Sequence, residues 1–318
     1  MSVEPASLAF EILDEKTLAT WPLPIPGADG DKEDRGRVLI VAGCRELSGV
    51  AVLCATAAFR AGAGNVTIAT VADITLWVGL AMPECRVVAL GESADGGFAT
   101  SVASMLYDEC RRHDCVLIGP GMQNEGAVHD LVRALLPSLD GAKVILDAYA
   151  MGAVCKLDPP KSAGTSSAAD KNNLGTKGNP FLITPHAGEL AHLTGVEKSV
   201  ITDHPQQTAL TFAQNWNSIV ALKGAITHIA TPDRRVWRHD GGSVGLGTSG
   251  SGDTLAGIIA GLAARGATLE QAAAWAVVLH ARAGIQLTSR FGLLGYLARE
   301  IAGEIPRIMH EIGNVRSS

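Results

Sequence analysis

Seven short apolar runs punctuate the chain, at residues 38–41, 66–69, 87–90, 116–118, 144–146, 182–183 and 219–222. They are of strand length and almost continuously apolar rather than alternating, the pattern of strands buried on both faces. Stretches of helical length rich in Ala and Leu separate them. Strands alternating with helices predict an α/β fold whose mostly parallel central sheet carries helices on both faces. No linker interrupts the alternation before the fifth strand. Residues 36–318 are therefore read as one domain, with residues 1–35 as an N-terminal extension. Residues 159–180, rich in Ser, Ala, Gly, Asn and Lys, read as a low-complexity loop insertion. The alternative for that segment is a lid that brings Lys171 or Lys177 to a phosphate.

Composition narrows the partners. The 26 basic and 32 acidic side chains give a net charge of −6, which offers no general attraction for nucleic acid or an anionic membrane. The six cysteines, Cys44, Cys54, Cys85, Cys110, Cys115 and Cys155, show no paired metal spacing and read as buried reduced thiols. The first 20 residues carry acidic side chains and no compact apolar core, and no segment is apolar enough to span a bilayer. A cytoplasmic protein is the expectation.

Chemistry concentrates at the ends of the predicted strands, where an open parallel sheet collects its ligands. Gly43, Gly119-Pro120-Gly121, Asp147, Thr184-Pro185-His186 and Lys223-Gly224 each follow an apolar run. Residues 245–257 read Gly-Leu-Gly-Thr-Ser-Gly-Ser-Gly-Asp-Thr-Leu-Ala-Gly, ahead of a long apolar helix beginning near Ser251. Bare backbone amides at a helix N-terminus form an anion site. Asp253 stands inside it, where a carboxylate either complements the helix dipole or acts on the ligand. His186 is either a capping residue or a ligand contact, Lys223 either a surface charge or a phosphate contact, and Gly121 either a turn residue or a point of close approach.

Six segments in register carry a resemblance. Gly-Arg-Val-Leu-Ile-Val-Ala-Gly at 36–43, Ala-Phe-Arg-Ala-Gly-Ala-Gly-Asn-Val-Thr at 58–67, Gly-Pro-Gly at 119–121, Thr-Pro-His-Ala-Gly-Glu at 184–189, Leu-Lys-Gly-Ala at 222–225 and Gly-Ser-Gly-Asp at 250–253 resemble the nucleotide-dependent NAD(P)H-hydrate dehydratases of the ribokinase-like superfamily. The resemblance implies a ribokinase-like three-layer sandwich. It also implies a lyase that dehydrates the S-epimer of hydrated NADH or NADPH, consuming ADP or ATP with Mg2+ and releasing phosphate with AMP or ADP. Phosphorylation would turn the ring hydroxyl into a leaving group. Asp253 is then the base that takes the hydroxyl proton, and Val50, Gly121, His186 and Asp253 bind the hydrated dinucleotide. Lys223, Gly224, Ala225, Ile226, Thr227 and Gly252 hold the AMP moiety of the consumed nucleotide. The family further implies a homo-oligomer, a tetramer, working with a separate NAD(P)H-hydrate epimerase.

Three positions depart from the family pattern. Asp147-Ala148-Tyr149 stands where the family has Asp-Ala-Asp, so one carboxylate is missing. Val50 replaces a usual Ala, and the 292–298 segment, Gly-Leu-Leu-Gly-Tyr-Leu-Ala, lacks the usual Ala-Ser-Asp. Two other functions remain open: a kinase of the same superfamily acting on a small alcohol or vitamin precursor, and a nucleotide-binding protein without turnover. A nicotinamide-dependent dehydrogenase is disfavoured, because residues 43–49 lack the Gly-Xaa-Gly-Xaa-Xaa-Gly spacing and no acidic residue closes the second strand at Thr70.

Overall fold

The computed structural model describes residues 9–25, 27, 31–155 and 180–314. In chain order the elements are β1 (Glu11–Ile12), α1 (Glu15–Thr20), β2 (Arg37–Val41), α2 (Gly49–Arg60), β3 (Asn65–Val71), α3 (Thr75–Ala81), β4 (Arg86–Leu90), α4 (Ala103–Arg111), β5 (Cys115–Ile118), α5 (Glu125–Leu135), β6 (Lys143–Leu146) and α6 (Gly152–Cys155). There follow β7 (Phe181–Ile183), α7 (Ala187–Thr194), α8 (Lys198–Asp203), α9 (Pro205–Asn215), β8 (Ser218–Leu222), β9 (Ile226–Ala230), β10 (Val236–Asp240), α10 (Ser251–Ala264), α11 (Leu269–Phe291) and α12 (Ala298–Asn314). The expected insertion at 159–180, with Lys171 and Lys177, lies outside the described residues except for Pro180.

All seven apolar runs are strands of one sheet, ordered β1-β10-β9-β8-β7-β6-β5-β2-β3-β4. From β4 to β8 every pairing is parallel. The chain winds outward from β2 to β4, then returns to lay β5 on the other side of β2 and builds toward β8. Right-handed crossovers running in opposite directions put α2 on one face and α5 on the other. Helices α10, α11 and α12 join α2 on its face, so the sheet is the middle layer of three.

Three strands were not foreseen. β9 pairs antiparallel with β8 and β10 antiparallel with β9, while β1 adds a parallel edge to β10. β9 and β10 mix His, Thr, Arg and Asp with apolar residues, so they lack the continuous runs of the inner strands. Residues 13–21 are built into the core: Leu13 and Leu18 are buried, Trp21 stacks on Trp237, and the Trp275 indole N–H donates to the Trp21 carbonyl at 2.8 Å.

α10 is packed closely against α2. A Cβ at Gly257 would stand 2.4 Å from the Cys54 carbonyl oxygen, and one at Gly261 would stand 2.3 Å from that of Ala58. Backbone therefore meets backbone, which fixes the glycine-rich N-terminus of α10 over the carboxyl ends of the strands. Cys44, Cys54, Cys110 and Cys115 are buried free thiols and Cys85 is partly buried. Among the described residues no helix is long and apolar enough to cross a membrane.

Candidate active site

The reversal between β2 and β5 opens a crevice at the sheet edge, the usual ligand position in such sheets. Gly43 N–H donates to the Pro120 carbonyl at 2.8 Å, tying the two strand ends together. Gly121 has a left-handed backbone (φ 66°), and a Cβ there would meet Val50 Cβ at 3.1 Å and Gly43 Cα at 3.3 Å. Two of the four residues assigned by resemblance to the dinucleotide thus adjoin each other. The isopropyl group of Val50 fills the space that Gly121 leaves.

Two strands further on, an isolated parallel bridge pairs His186 with Lys223, and Lys223 N–H donates to the Pro185 carbonyl at 2.8 Å. His186 caps α7 in a reciprocal box. Its Nδ1 accepts from Glu189 N–H at 3.0 Å, while the Glu189 carboxylate accepts from His186 N–H at 2.8 Å. Nδ1 is thereby fixed as an acceptor, and the exposed Nε2 lies 3.6 Å from a Glu189 carboxylate oxygen. The capping reading of His186 is the one observed, and it uses one ring nitrogen only.

Lys223 is the electrostatic centre. Its ammonium lies 3.8 Å from Asp147 and 3.7 Å from Glu189, and a Cβ on Gly252 would be 3.3 Å from it. Any side chain at 252 would crowd the ammonium away from the start of α10. Asp147 is buried and accepts from Thr184 Oγ1 at 2.6 Å. Gly250 turns the chain into α10 with a left-handed backbone (φ 88°), and no side chain caps the amides that follow. Open helix amides facing an ammonium across a glycine are a site for a phosphate.

Asp253, in the first turn of α10, is the third carboxylate around Lys223. Burial raises its pKa to about 6, with the charges of Asp147 and Glu189 adding to the rise and Lys223 opposing it. A carboxyl poised near neutrality is suited to accepting a proton. The Cys54 thiol donates to the Asp253 backbone carbonyl at 3.3 Å and is held protonated by burial. Tyr149, which replaces the family carboxylate, is 44% exposed, and its backbone carbonyl is paired with His129 at 3.0 Å.

A cavity of about 700 Å³ runs from His186, Lys223 and Gly252 to the apolar Val244, Leu246, Leu255, Val277 and Ala281. Gly224, Ala225 and Thr227 line it as well. Ile226 does not, because strand alternation turns it to the opposite side from Thr227. Val50, Gly121 and Asp253 also lie outside its lining, toward the crevice. His186 and Lys223, assigned to different subsites from sequence, are neighbours on one wall at the junction of cavity and crevice. The sequence reading missed His239, residues 241–243 and His280, which contribute to the far wall. Isolated histidines on a strand and on an Ala-rich helix carry no signal in a single sequence.

A family model described as NAD(P)H-hydrate dehydratase matches residues 38–307. The chain is similar to an ADP-dependent (S)-NAD(P)H-hydrate dehydratase of Xanthomonas campestris, 44% identical over 93% of this chain and 94% of that protein. It is also similar to a bifunctional NAD(P)H-hydrate repair enzyme of Moorella thermoacetica, 34% identical over 92% of this chain but only 53% of that one. The fold is similar to the crystal structure of the ADP/ATP-dependent NAD(P)H-hydrate dehydratase of Bacillus subtilis co-crystallised with ATP and Mg2+. There the TM-score is 0.76 at 25% identity, over 96% of this chain and 100% of that one.

Proposed function

The chain belongs to the NAD(P)H-hydrate dehydratase family, and we propose that it restores NADH and NADPH from their S-hydrates at the expense of ADP or ATP. The observation that carries this is the placement of Asp253, Lys223 and the open amides of α10 around the end of a nucleotide-sized cavity, with Lys223 beside the carboxylates of Asp147 and Glu189.

The terminal phosphoryl group sits against the amides at Gly252 and the Lys223 ammonium, with the nucleoside in the cavity. The hydrated ring lies toward Gly121, Val50 and His186. Asp253 takes the proton of the ring hydroxyl as its oxygen attacks phosphorus, and the nucleotide leaves one phosphate shorter. The ring nitrogen lone pair then expels the new phosphate, breaking the carbon–oxygen bond, and loss of the neighbouring proton restores the double bond.

Among the described residues no group of three or more His, Cys, Asp or Glu side chains is arranged to hold a metal. The Bacillus subtilis relative was co-crystallised with ATP and Mg2+, and here Asp147 and Glu189, beside Lys223, are the carboxylates that would adjoin a nucleotide-bound Mg2+. We further infer a cytoplasmic tetramer that works with an NAD(P)H-hydrate epimerase, a reading supported by the bifunctional repair enzyme among the relatives.

Mixing the protein with hydrated NADH and ADP should return the absorbance of reduced nicotinamide, and omission of nucleotide should abolish the return. A kinase of a small alcohol would instead leave a stable phosphate ester and no such absorbance. Nucleotide binding with neither product would place the chain among silent binding proteins.

A further inference from the structure

His280, on α11, lines the same cavity as Lys223 and has no part in the chemistry above. Its Nε2 lies 3.1 Å from the Ser251 carbonyl oxygen and 3.0 Å from Ser251 Oγ. A carbonyl only accepts, so Nε2 carries the ring proton and shares it between the two oxygens. Nδ1 is then a bare lone pair. It has no partner among the described residues and is not enclosed, whereas the enclosed unpartnered side-chain atoms lie on Thr70, His228, His239, Arg265 and Tyr296. Nδ1 therefore opens on the cavity that the ring lines.

We propose that His280 is a specificity-determining residue of the nucleotide site: Nδ1 accepts a hydrogen bond from an O–H or N–H of the nucleoside, while Nε2–H holds the first carbonyl of α10. The inference rests on the cavity being the nucleotide site. A phosphate oxygen offers no proton to a neutral imidazole lone pair, so the partner is a donor: a ribose hydroxyl or the exocyclic amine of the base. Burial pushes the pKa of His280 down to about 4, which keeps Nδ1 an acceptor at neutral pH. The adjoining Val277 and Ala281, with Val244 and Leu246 across the cavity, supply the apolar surroundings expected of a nucleoside rather than of a phosphate chain.

The test compares ADP with 2′-deoxy-ADP, 3′-deoxy-ADP and purine riboside diphosphate, which lacks the 6-amine, by titration calorimetry on the parent and on His280→Gln and His280→Asn. Gln can still donate to the Ser251 carbonyl but has no acceptor at the Nδ1 position, whereas Asn places an amide oxygen near it. The parent is expected to bind one analogue about tenfold more weakly than ADP. In His280→Gln that preference should vanish, with ADP itself weakened by a similar factor, and in His280→Asn part of it should return. The analogue that shows the loss identifies ribose or base. An unchanged preference in His280→Gln overturns the proposal while the nucleotide reading survives. Failure of the parent to bind ADP overturns both.

Discussion

Replacing Asp253 by Asn is expected to cut turnover by about 10²–10⁴-fold while leaving ADP bound, because the proton acceptor is lost and the amides and Lys223 that hold phosphate remain. In the parent, turnover should fall with acid through an apparent pKa near 6, the value at which Asp253 is half protonated. The same substitution should stabilise the fold. The folded pKa of Asp253 lies above its ordinary value of 3.8, so the native state favours the protonated form. That contribution is present at low pH and is lost as pH rises through 6, leaving a buried charge beside Asp147 and Glu189 at neutrality. Asn carries no such cost. Its melting temperature should exceed the parent's by a few degrees at pH 8, and the gain should fade toward pH 4. Near-normal turnover in the variant would remove Asp253 from the role of base.

Gly257→Val should lower stability by more than about 3 kcal/mol, because the added Cβ meets the Cys54 carbonyl oxygen and neither packed helix backbone can yield. The expected melting temperature is roughly 4–5 °C or more below the parent. Gly303→Ala on α12 is the control. Nothing lies within 4 Å of a Cβ there, so alanine should stabilise that helix by about 0.5–1 kcal/mol through propensity alone. Equal melting of Gly257→Val and the parent would contradict the backbone-to-backbone packing that holds the glycine-rich turn in place.

The parallel core was legible because burial on both faces leaves unbroken apolar runs, and each of the seven is a strand. The antiparallel β9 and β10 were not, since polar residues, the buried His228 among them, interrupt their apolar runs and no continuous pattern remains. Glycine and strand-end signals marked the sheet edge and brought Gly121 to Val50, and Lys223 to Gly252. They did not show that Asp147 and Glu189 share the Lys223 ammonium, a meeting of three strand or helix ends far apart in sequence. Nor did they reveal the cap that commits His186 Nδ1 to Glu189, or the contact between His280 and Ser251.

The fate of one oxygen atom tests the central claim, that phosphoryl transfer to the ring hydroxyl precedes its expulsion. Hydrated NADH labelled with 18O in that hydroxyl is incubated with the protein and unlabelled ADP, and the released phosphate is weighed by mass spectrometry. Attack of the hydroxyl on phosphorus followed by carbon–oxygen cleavage carries the label into phosphate, one heavy atom for each NADH restored. Unlabelled phosphate, with the heavy oxygen found in water, would mean that nucleotide cleavage and dehydration are separate events and would contradict the account.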